Sequence, residues 1–155
     1  MSEVITLIKN TACTFFGHSD FCRVDASALA EAIEKLIVKG VDIFYVGNQG
    51  YFDGMVLNIL TNLHKKHRHI LYSVVLAYHP TQTPNLDLYH GHIIYPDSLE
   101  SCPRKFAIEK RNRWMIENSD YCICYIDRTW GGAYKFAKQS KRKGLTVINL
   151  GNVEF

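Results

Sequence analysis

Three glycine-containing turns hold the residues best suited to chemistry. They are Gly-His-Ser-Asp at 17–20, Gly-Asn-Gln-Gly-Tyr-Phe-Asp at 47–53 and Gly-Gly-Ala at 131–133, and each follows an apolar strand pattern and precedes a helical one. In an open α/β sheet such turns lie together at the carboxyl ends of the strands, where backbone N–H groups and helix N-termini bind phosphate. The three turns therefore predict a site for an anionic, nucleotide-like ligand.

Arg111 adds a positive charge to this predicted site. Helical spacing of three and four places it on the same stripe as Ile108 and Met115, which should face the sheet. An unpaired charge in such a position costs several kcal/mol, so we expect an anionic partner. A ligand phosphate, held in the bidentate geometry that a guanidinium favours, is one candidate. The alternatives are an arginine that bends out to solvent from the edge of the stripe, or a carboxylate of the chain itself: Glu117, Asp120 or Asp127.

The turn residues have candidate roles, each with a structural alternative. The 47–50 turn has neither the G-x-G-x-x-G spacing of a dinucleotide fingerprint nor the lysine of a P-loop. Asp53, just inside the next helix, is placed either to bind ribose hydroxyls or to complement the helix dipole. Gly131 and Gly132 either let the backbone approach a phosphate closely or form a tight turn alone. His18 is either an acid, base or ligand donor, or a hydrogen-bonded loop histidine.

Two basic segments suggest other functions. His64, His67 and His69 span a helix end and a strand start, so they should not converge on one ion, and we predict no metal site. A basic face on the last helix is typical of a solvated surface or of a contact with a phosphate backbone. The net charge of +3 is too small to favour nucleic acid as a partner. The residues of this basic face are Lys135, Lys138, Lys141, Arg142 and Lys143.

Apolar periods of two and of about 3.6 alternate along the chain, which is typical of successive βα units. The pattern predicts strands at 11–16, 43–46, 70–76, 93–95, 121–126 and 146–150, and helices at 25–39, 52–63, 104–118 and 132–143. These elements predict an α/β fold, a three-layer Rossmann-like sandwich with a mostly parallel sheet. The proline-rich segment from 77 to 103 is the candidate lid or specificity region.

Length and composition limit the remaining possibilities. A chain of 155 residues fits a single domain, 1–155. No apolar run is long enough to span a bilayer and residues 1–4 do not begin a secretory leader, so we expect a cytoplasmic protein without a membrane partner. The five cysteines, an odd number lying largely in or beside apolar runs, are expected to be free thiols.

The turns and their neighbours together resemble a known family. The segments are FFGH at 15–18, FYVGNQGYFD at 44–53, VVLAY at 74–78, RNRWM at 111–115 and GGA at 131–133. In this order and combination they resemble a small bacterial branch of the SLOG superfamily. That superfamily contains Rossmann-like domains related to the DNA-processing protein Smf/DprA and to the LOG-type phosphoribohydrolases. The likeness covers nearly the whole chain.

The resemblance implies a pocket for a nucleotide or nucleotide-derived ligand, without a further cofactor. Homodimers are frequent among the relatives, so a homodimer is the assembly that the resemblance implies. Ring stacking on the base is expected from Trp114 or Tyr51. The predicted ligand-binding residues are Gly17, His18, Ser19, Gly47, Asn48, Gln49, Gly50, Phe52, Asp53, Arg111, Asn112, Trp114, Gly131, Gly132 and Ala133.

Two departures from the family pattern affect the functional prediction. LOG-type hydrolases pair an arginine, matched here by Arg111, with a glutamate just after their glycine-rich turn, but no carboxylate follows Gly132 within the next four residues. Loss of such a general acid/base group lowers rates by about 10²–10⁴. Ser19 stands where the branch commonly has an arginine, so one phosphate contact is missing.

The sequence therefore favours a nucleotide-binding or sensing domain over an enzyme. The first alternative is a hydrolase or transferase that acts at the N-glycosidic bond of a nucleotide, with His18, Asp53 or Asp127 in place of the glutamate. The second alternative is a single-stranded nucleic-acid binder that uses the basic face of the last helix, which predicts binding that weakens steeply with salt.

Overall fold

Strands and helices alternate along the chain as the sequence predicts. The computed structural model describes residues 11–20, 23–86 and 91–155. Within these ranges the strands are β1 (Ala12–Gly17), β2 (Ile43–Val46), β3 (Leu71–Val75), β4 (His92–Ile94), β5 (Tyr121–Tyr125) and β6 (Thr146–Asn149). The α-helices are α1 (Ala26–Lys39), α2 (Tyr51–Lys66), α3 (Ala107–Glu117) and α4 (Gly132–Arg142). Short 3₁₀ helices occur at Pro80–Gln82, Asp97–Leu99 and Arg104–Phe106.

The strands form one sheet in the order β4-β3-β2-β1-β5-β6, and every neighbouring pair is parallel. In the register of the central strands, Thr14 of β1 lies opposite Tyr45 of β2 and Cys122 of β5. The chain first builds the sheet outward from β1 to β4 and then returns to place β5 on the other side of β1. The carboxyl ends of β1 and β5 therefore form the topological switch point, where open α/β sheets bind ligands.

Helices cover both faces of the sheet, as the predicted three-layer architecture requires. Phe15 and Phe16 of β1 point to opposite faces, because side chains alternate along a strand. Phe15 packs in the core under α1 and α2, with its ring centroid 6.2 Å from that of Phe44. Phe16 packs under α3 and α4, with its ring centroid 5.7 Å from that of Phe136. The α/β sandwich predicted from the sequence is confirmed.

The helix ends follow local sequence signals. The side chain of Asp25 accepts a hydrogen bond from the Ser27 amide (2.9 Å) and so caps the N-terminus of α1. Gly40 ends α1 in the left-handed conformation, with φ of +116°. Both predicted ends of this helix are confirmed. The predicted helix at 104–118 begins three residues later, because the chain after Pro103 first forms a 3₁₀ turn.

The described cysteines, Cys13, Cys102, Cys122 and Cys124, are free thiols, as predicted. Burial raises the pKa of the Cys13 thiol well above its usual range, so this side chain is an inert core residue. The prediction for Cys22 and that for residues 1–4 fall outside the described residues. Among the helices that are described, no helix has both the length and the apolar character needed to cross a bilayer.

Candidate functional site

A cavity of about 470 Å³ lies at the carboxyl ends of the central strands. Ligand cavities in proteins have volumes of roughly 300–1,000 Å³, so this cavity is in the size range of sites that bind small molecules such as nucleotides. Its walls come from the ends of β1 and β2, the loop after β5, the inner side of α3 and the start of α4. The predicted site residues that line the cavity are Gly17, His18, Ser19, Gly47, Gln49, Asp53, Arg111, Asn112, Gly131, Gly132 and Ala133.

Arg111 lies at the inner wall of the cavity and is only 2% exposed. Its Nη1 donates hydrogen bonds to the backbone carbonyl of Val75 (2.8 Å) and to Oδ1 of Asn48 (3.2 Å), and its Nε donates to Oδ1 of Asn112 (2.8 Å). All three acceptors are neutral. Among the described residues no carboxylate forms an ion pair with this guanidinium. Burial lowers the pKa of Arg111, and the carboxylate of Asp53 acts in the opposite direction.

The carboxylates named as possible partners of Arg111 are engaged elsewhere or turn away from it. Asp120 accepts a hydrogen bond from the Ala12 amide (3.1 Å), and Asp127 lies next to His18. Glu117 ends α3 and is exposed. The near-complete burial of Arg111 also excludes the solvent-directed conformation. None of these three carboxylates therefore pairs with Arg111, which lies at the cavity wall.

Gly47 leaves room between Arg111 and Asp53. A Cβ atom at Gly47 would lie 3.1 Å from both Cζ of Arg111 and Oδ2 of Asp53, closer than ordinary van der Waals contact. Asp53, in the first turn of α2, accepts a hydrogen bond from the Gln49 amide through the same Oδ2 (2.9 Å). Burial raises the pKa of Asp53, whereas the nearby positive charge of Arg111 lowers it. The turn thus holds one cation and one carboxylate at the cavity wall without pairing them directly.

His18 follows β1 at the switch point and is 4% exposed. Its Nε2 lies 3.2 Å from Oδ1 of Asp127, but the two atoms are not aligned for a hydrogen bond. Burial, followed by repulsion from Arg128, lowers the pKa of His18. Asp127 and Asp20 oppose this shift without cancelling it. The ring is therefore a largely neutral imidazole at neutral pH, with one nitrogen that has no hydrogen-bond partner.

The start of α4 forms a further part of the cavity wall. Gly131 has φ of +94° and precedes the helix, and no side chain caps its N-terminus. Nothing lies within 4 Å of a Cβ placed at Gly131 or Gly132, so the backbone here faces open space. Uncapped N–H groups and the positive end of the helix dipole attract anions. Arg111 and the N-terminus of α4 thus present positive charge to the same cavity.

Four predicted residues do not line the cavity. Asn48 accepts hydrogen bonds from two lining residues, Arg111 and Gln49. Phe52 is a core residue whose ring lies against Gly17. Gly50, with φ of +124°, packs against the backbone of Ser19. Trp114 packs edge to face on Tyr45, with ring centroids 5.1 Å apart. The roles predicted for these residues stay predictions, and Tyr51 also lies outside the lining.

Arg128 is a lining residue that the sequence analysis did not identify. It follows β5 by three residues, and its guanidinium binds both carboxylate oxygens of Asp20, at 3.2 and 3.4 Å. The guanidinium also lies over the ring of Trp130, 4.4 Å from its centroid. The sequence signal that could have identified Arg128 as a site residue is its position in the loop after a predicted strand, next to the Gly-Gly turn.

The basic segments and the 77–103 segment lie elsewhere. Several cations of α4 have intramolecular contacts: Lys135 pairs with Glu109 (2.9 Å), Lys138 lies over the Tyr134 ring and Lys141 binds the Phe155 carbonyl. His67 binds Glu34 (2.8 Å) at the end of α2. The described part of the chain contains no metal-binding group of three or more His, Cys, Asp and Glu residues.

The described part of the proline-rich segment frames a second cavity of about 490 Å³, which Tyr78, His79, Tyr95 and Arg104 help to line. Its predicted role as a lid or specificity region stays a prediction. Residues 87–90 of this segment are outside the described ranges.

Comparison with known proteins found no matching family model and no matching curated protein. The resemblance to the SLOG superfamily therefore stays a prediction, and the geometry of the cavity carries the functional argument.

Proposed function

We propose that this chain is a binding or sensing domain for a nucleotide or nucleotide-derived ligand, which occupies the cavity at the switch point. The phosphate would lie between Arg111 and the amides that begin α4. The ribose would lie near Asp53, which lines the cavity. Binding at the carboxyl ends of β1 and β5 agrees with the general rule for open α/β sheets.

The observation that carries this proposal is the buried charge of Arg111. A buried arginine that served stability alone would be expected to have a carboxylate partner, because a charge without a counter-ion in the protein interior is costly. Arg111 instead donates to three neutral acceptors, and Asp53, the carboxylate whose charge acts on it, forms no ion pair with it among the described residues. A phosphate in the cavity would accept hydrogen bonds from Arg111 directly and would also lie near the uncapped N-terminus of α4.

The proposal is for binding rather than catalysis. The first turn of α4 contains Gly132, Ala133, Tyr134 and Lys135, so it offers no carboxylate to protonate or deprotonate a reacting group. Asp53, the acidic residue in the cavity lining, already accepts a hydrogen bond from the Gln49 amide. The site therefore has groups that attract and orient an anion, and the first turn of α4 lacks the glutamate with which LOG-type hydrolases would act on it.

Thermal unfolding in the presence of a nucleotide panel tests the proposal. Nucleoside mono- and diphosphates, NAD, ADP-ribose and cyclic nucleotides would each be added to the purified chain. A specific ligand at 100 times its Kd stabilises the fold by about 2.7 kcal/mol, which raises Tm by roughly 5–10 °C in a chain of this size. We expect Arg111→Gln to weaken binding about 10- to 100-fold, because a charge-assisted phosphate contact is lost.

Arg113→Gln is the matched control. Arg113 lies two residues away on the same helix, is half exposed and pairs with Glu109 on the surface, so its substitution should leave binding unchanged. Equal affinities of the wild-type chain and Arg111→Gln would contradict the assigned role of Arg111. If no nucleotide of the panel binds, the proposed function is wrong.

A further inference from the structure

Arg128 provides a second positive charge at the cavity, from the loop after β5. Arg111 contacts the carbonyl of Val75 at the end of β3 and Asn48 after β2, whereas Arg128 follows β5 and contacts Asp20, which follows β1. The two side chains are thus anchored at the ends of different strand pairs. The centres of these pairs are about two strand spacings apart, or roughly 10 Å.

This separation matters for the kind of anion that the cavity accepts. A guanidinium binds a phosphate oxygen at about 2.8 Å, so a single phosphate is at the limit of its reach across such an interval. Two phosphates joined by a bridging oxygen would extend from one cation to the other. The N-terminus of α4 borders the same cavity as both cations.

The contacts of Arg128 are those of an anion-binding group occupied by a carboxylate of the chain itself. Asp20 binds Arg128 through both oxygens, the arrangement by which a guanidinium also holds a phosphate. Its side chain is 62% exposed, whereas that of Arg128 is 29% exposed. An ion pair with so exposed a carboxylate contributes little to stability, so a dianionic phosphate would replace Asp20 at little cost.

A purely structural role for Arg128 leaves part of its side chain unexplained. Within the described part of the chain its Nε is buried without a hydrogen-bond partner, and its proximity disfavours protonation of His18. The buried Nε2 of His18 also has no hydrogen-bond partner among these residues. Both side chains line one cavity, so the two nitrogens point to a ligand rather than to the internal ion pair.

We propose that the ligand of this cavity carries two linked anionic groups, as a nucleoside diphosphate does, and that its second phosphate displaces Asp20 from Arg128. This inference rests on the proposed function and adds the substrate class to it. Arg111 binds one phosphate and Arg128 selects for the other. Asp20 is an internal competitor that occupies Arg128 in the absence of ligand.

Titration calorimetry with matched nucleotide pairs tests the inference. The probes are the mono- and diphosphates of adenosine, guanosine, cytidine and uridine, measured with the wild-type chain, Arg128→Gln, Asp20→Asn and the control Arg113→Gln. The wild-type chain should bind the preferred diphosphate about tenfold more tightly than its monophosphate, the worth of one charge-assisted contact. Arg128→Gln should abolish this preference and leave the monophosphate affinity within about twofold of wild type.

Asp20→Asn should strengthen diphosphate binding several-fold, because the competing carboxylate is removed, and should not affect the monophosphate. This variant leaves Arg128 in place, so it also tests the inference if Arg128→Gln does not fold. Equal affinity for mono- and diphosphates, or an unchanged preference in both variants, would overturn the inference while the nucleotide site itself stands. Absence of binding by every probe would overturn the proposed function together with the inference.

Discussion

His18 links the protonation state of the cavity to the stability of the fold. Its folded-state pKa lies below the ordinary value of 6.5, because burial and then Arg128 disfavour the imidazolium, while Asp127 and Asp20 only partly oppose them. The unfolded chain therefore binds this proton more readily than the folded chain. The stability that depends on neutral His18 is fully present above pH 6.5 and is lost as the pH falls through the lower, folded-state pKa.

The free energy of unfolding of the wild-type chain should therefore decline as the pH falls below 6.5. We expect this decline to be shallower in His18→Gln, which has no imidazole to protonate. One group contributes a slope of at most about 1.4 kcal/mol per pH unit. Urea denaturation at a series of pH values would measure the slope for the wild-type chain, His18→Gln and His69→Gln, since His69 is exposed. Parallel curves for the wild-type chain and His18→Gln would contradict the assignment.

The position of a side chain could be predicted from the sequence where a helical period or a turn fixes the direction in which that side chain points. Arg111 shares a helical stripe with Met115, and the stripe alone indicated that its charge faces the sheet. Trp114 is on the same helix, but it points toward the middle of β2, where it packs on Tyr45. Arg128 lies in a loop without periodicity, so only the fold reveals that Asp20, distant in sequence, approaches it.

At the scale of elements, the end of β1 and the start of α2 are packed so closely that Gly17 is required. A Cβ at Gly17 would overlap the ring of Phe52, which is 1% exposed. Gly17→Ala should destabilise the fold by about 1–3 kcal/mol through overpacking, and Phe52→Ala by about 3–5 kcal/mol through loss of the ring. In the double variant the new methyl group occupies part of the vacated space.

The double variant should therefore be at least about 1 kcal/mol more stable than the sum of the single effects predicts. Urea denaturation of the wild-type chain, the two single variants and the double variant measures this coupling between Gly17 and Phe52. Gly54→Ala is the control, because Gly54 is in α2 with nothing within 4 Å of its added Cβ, and it should be stabilising by helix propensity. Strict additivity of the Gly17 and Phe52 changes would contradict the described contact.

The order and type of the elements were predictable because local signals agree with the fold. Asp25 and Gly40 mark the ends of α1, and short apolar runs mark each buried strand. The start of α3 was predicted three residues too early, since a turn after Pro103 has the same composition as a helix start. The strand order was not predictable from these signals, because it depends on which apolar faces meet in the folded chain.

At the scale of the molecule, the fold brings together turns that are far apart in sequence. The turns after β1 and β2 lie beside the start of α4 at the switch point, and Arg111 of α3 lines the same cavity. A ligand at this place contacts three segments simultaneously, so its binding energy would stabilise all of them against local opening. Ligand-induced protection of the three segments should therefore appear together or not at all.

Hydrogen exchange with mass spectrometry tests this expectation with the nucleotide that raises Tm most. Bound ligand should slow exchange at 17–19, 47–49 and 131–133 together, because each segment contributes backbone to the cavity wall. Amides of β6, at the far edge of the sheet, serve as the internal reference. Arg111→Gln at the same nucleotide concentration should lose the protection at all three segments. Protection confined to the proline-rich segment at 77–103 would instead indicate that the ligand binds in the second cavity, which the described part of that segment frames.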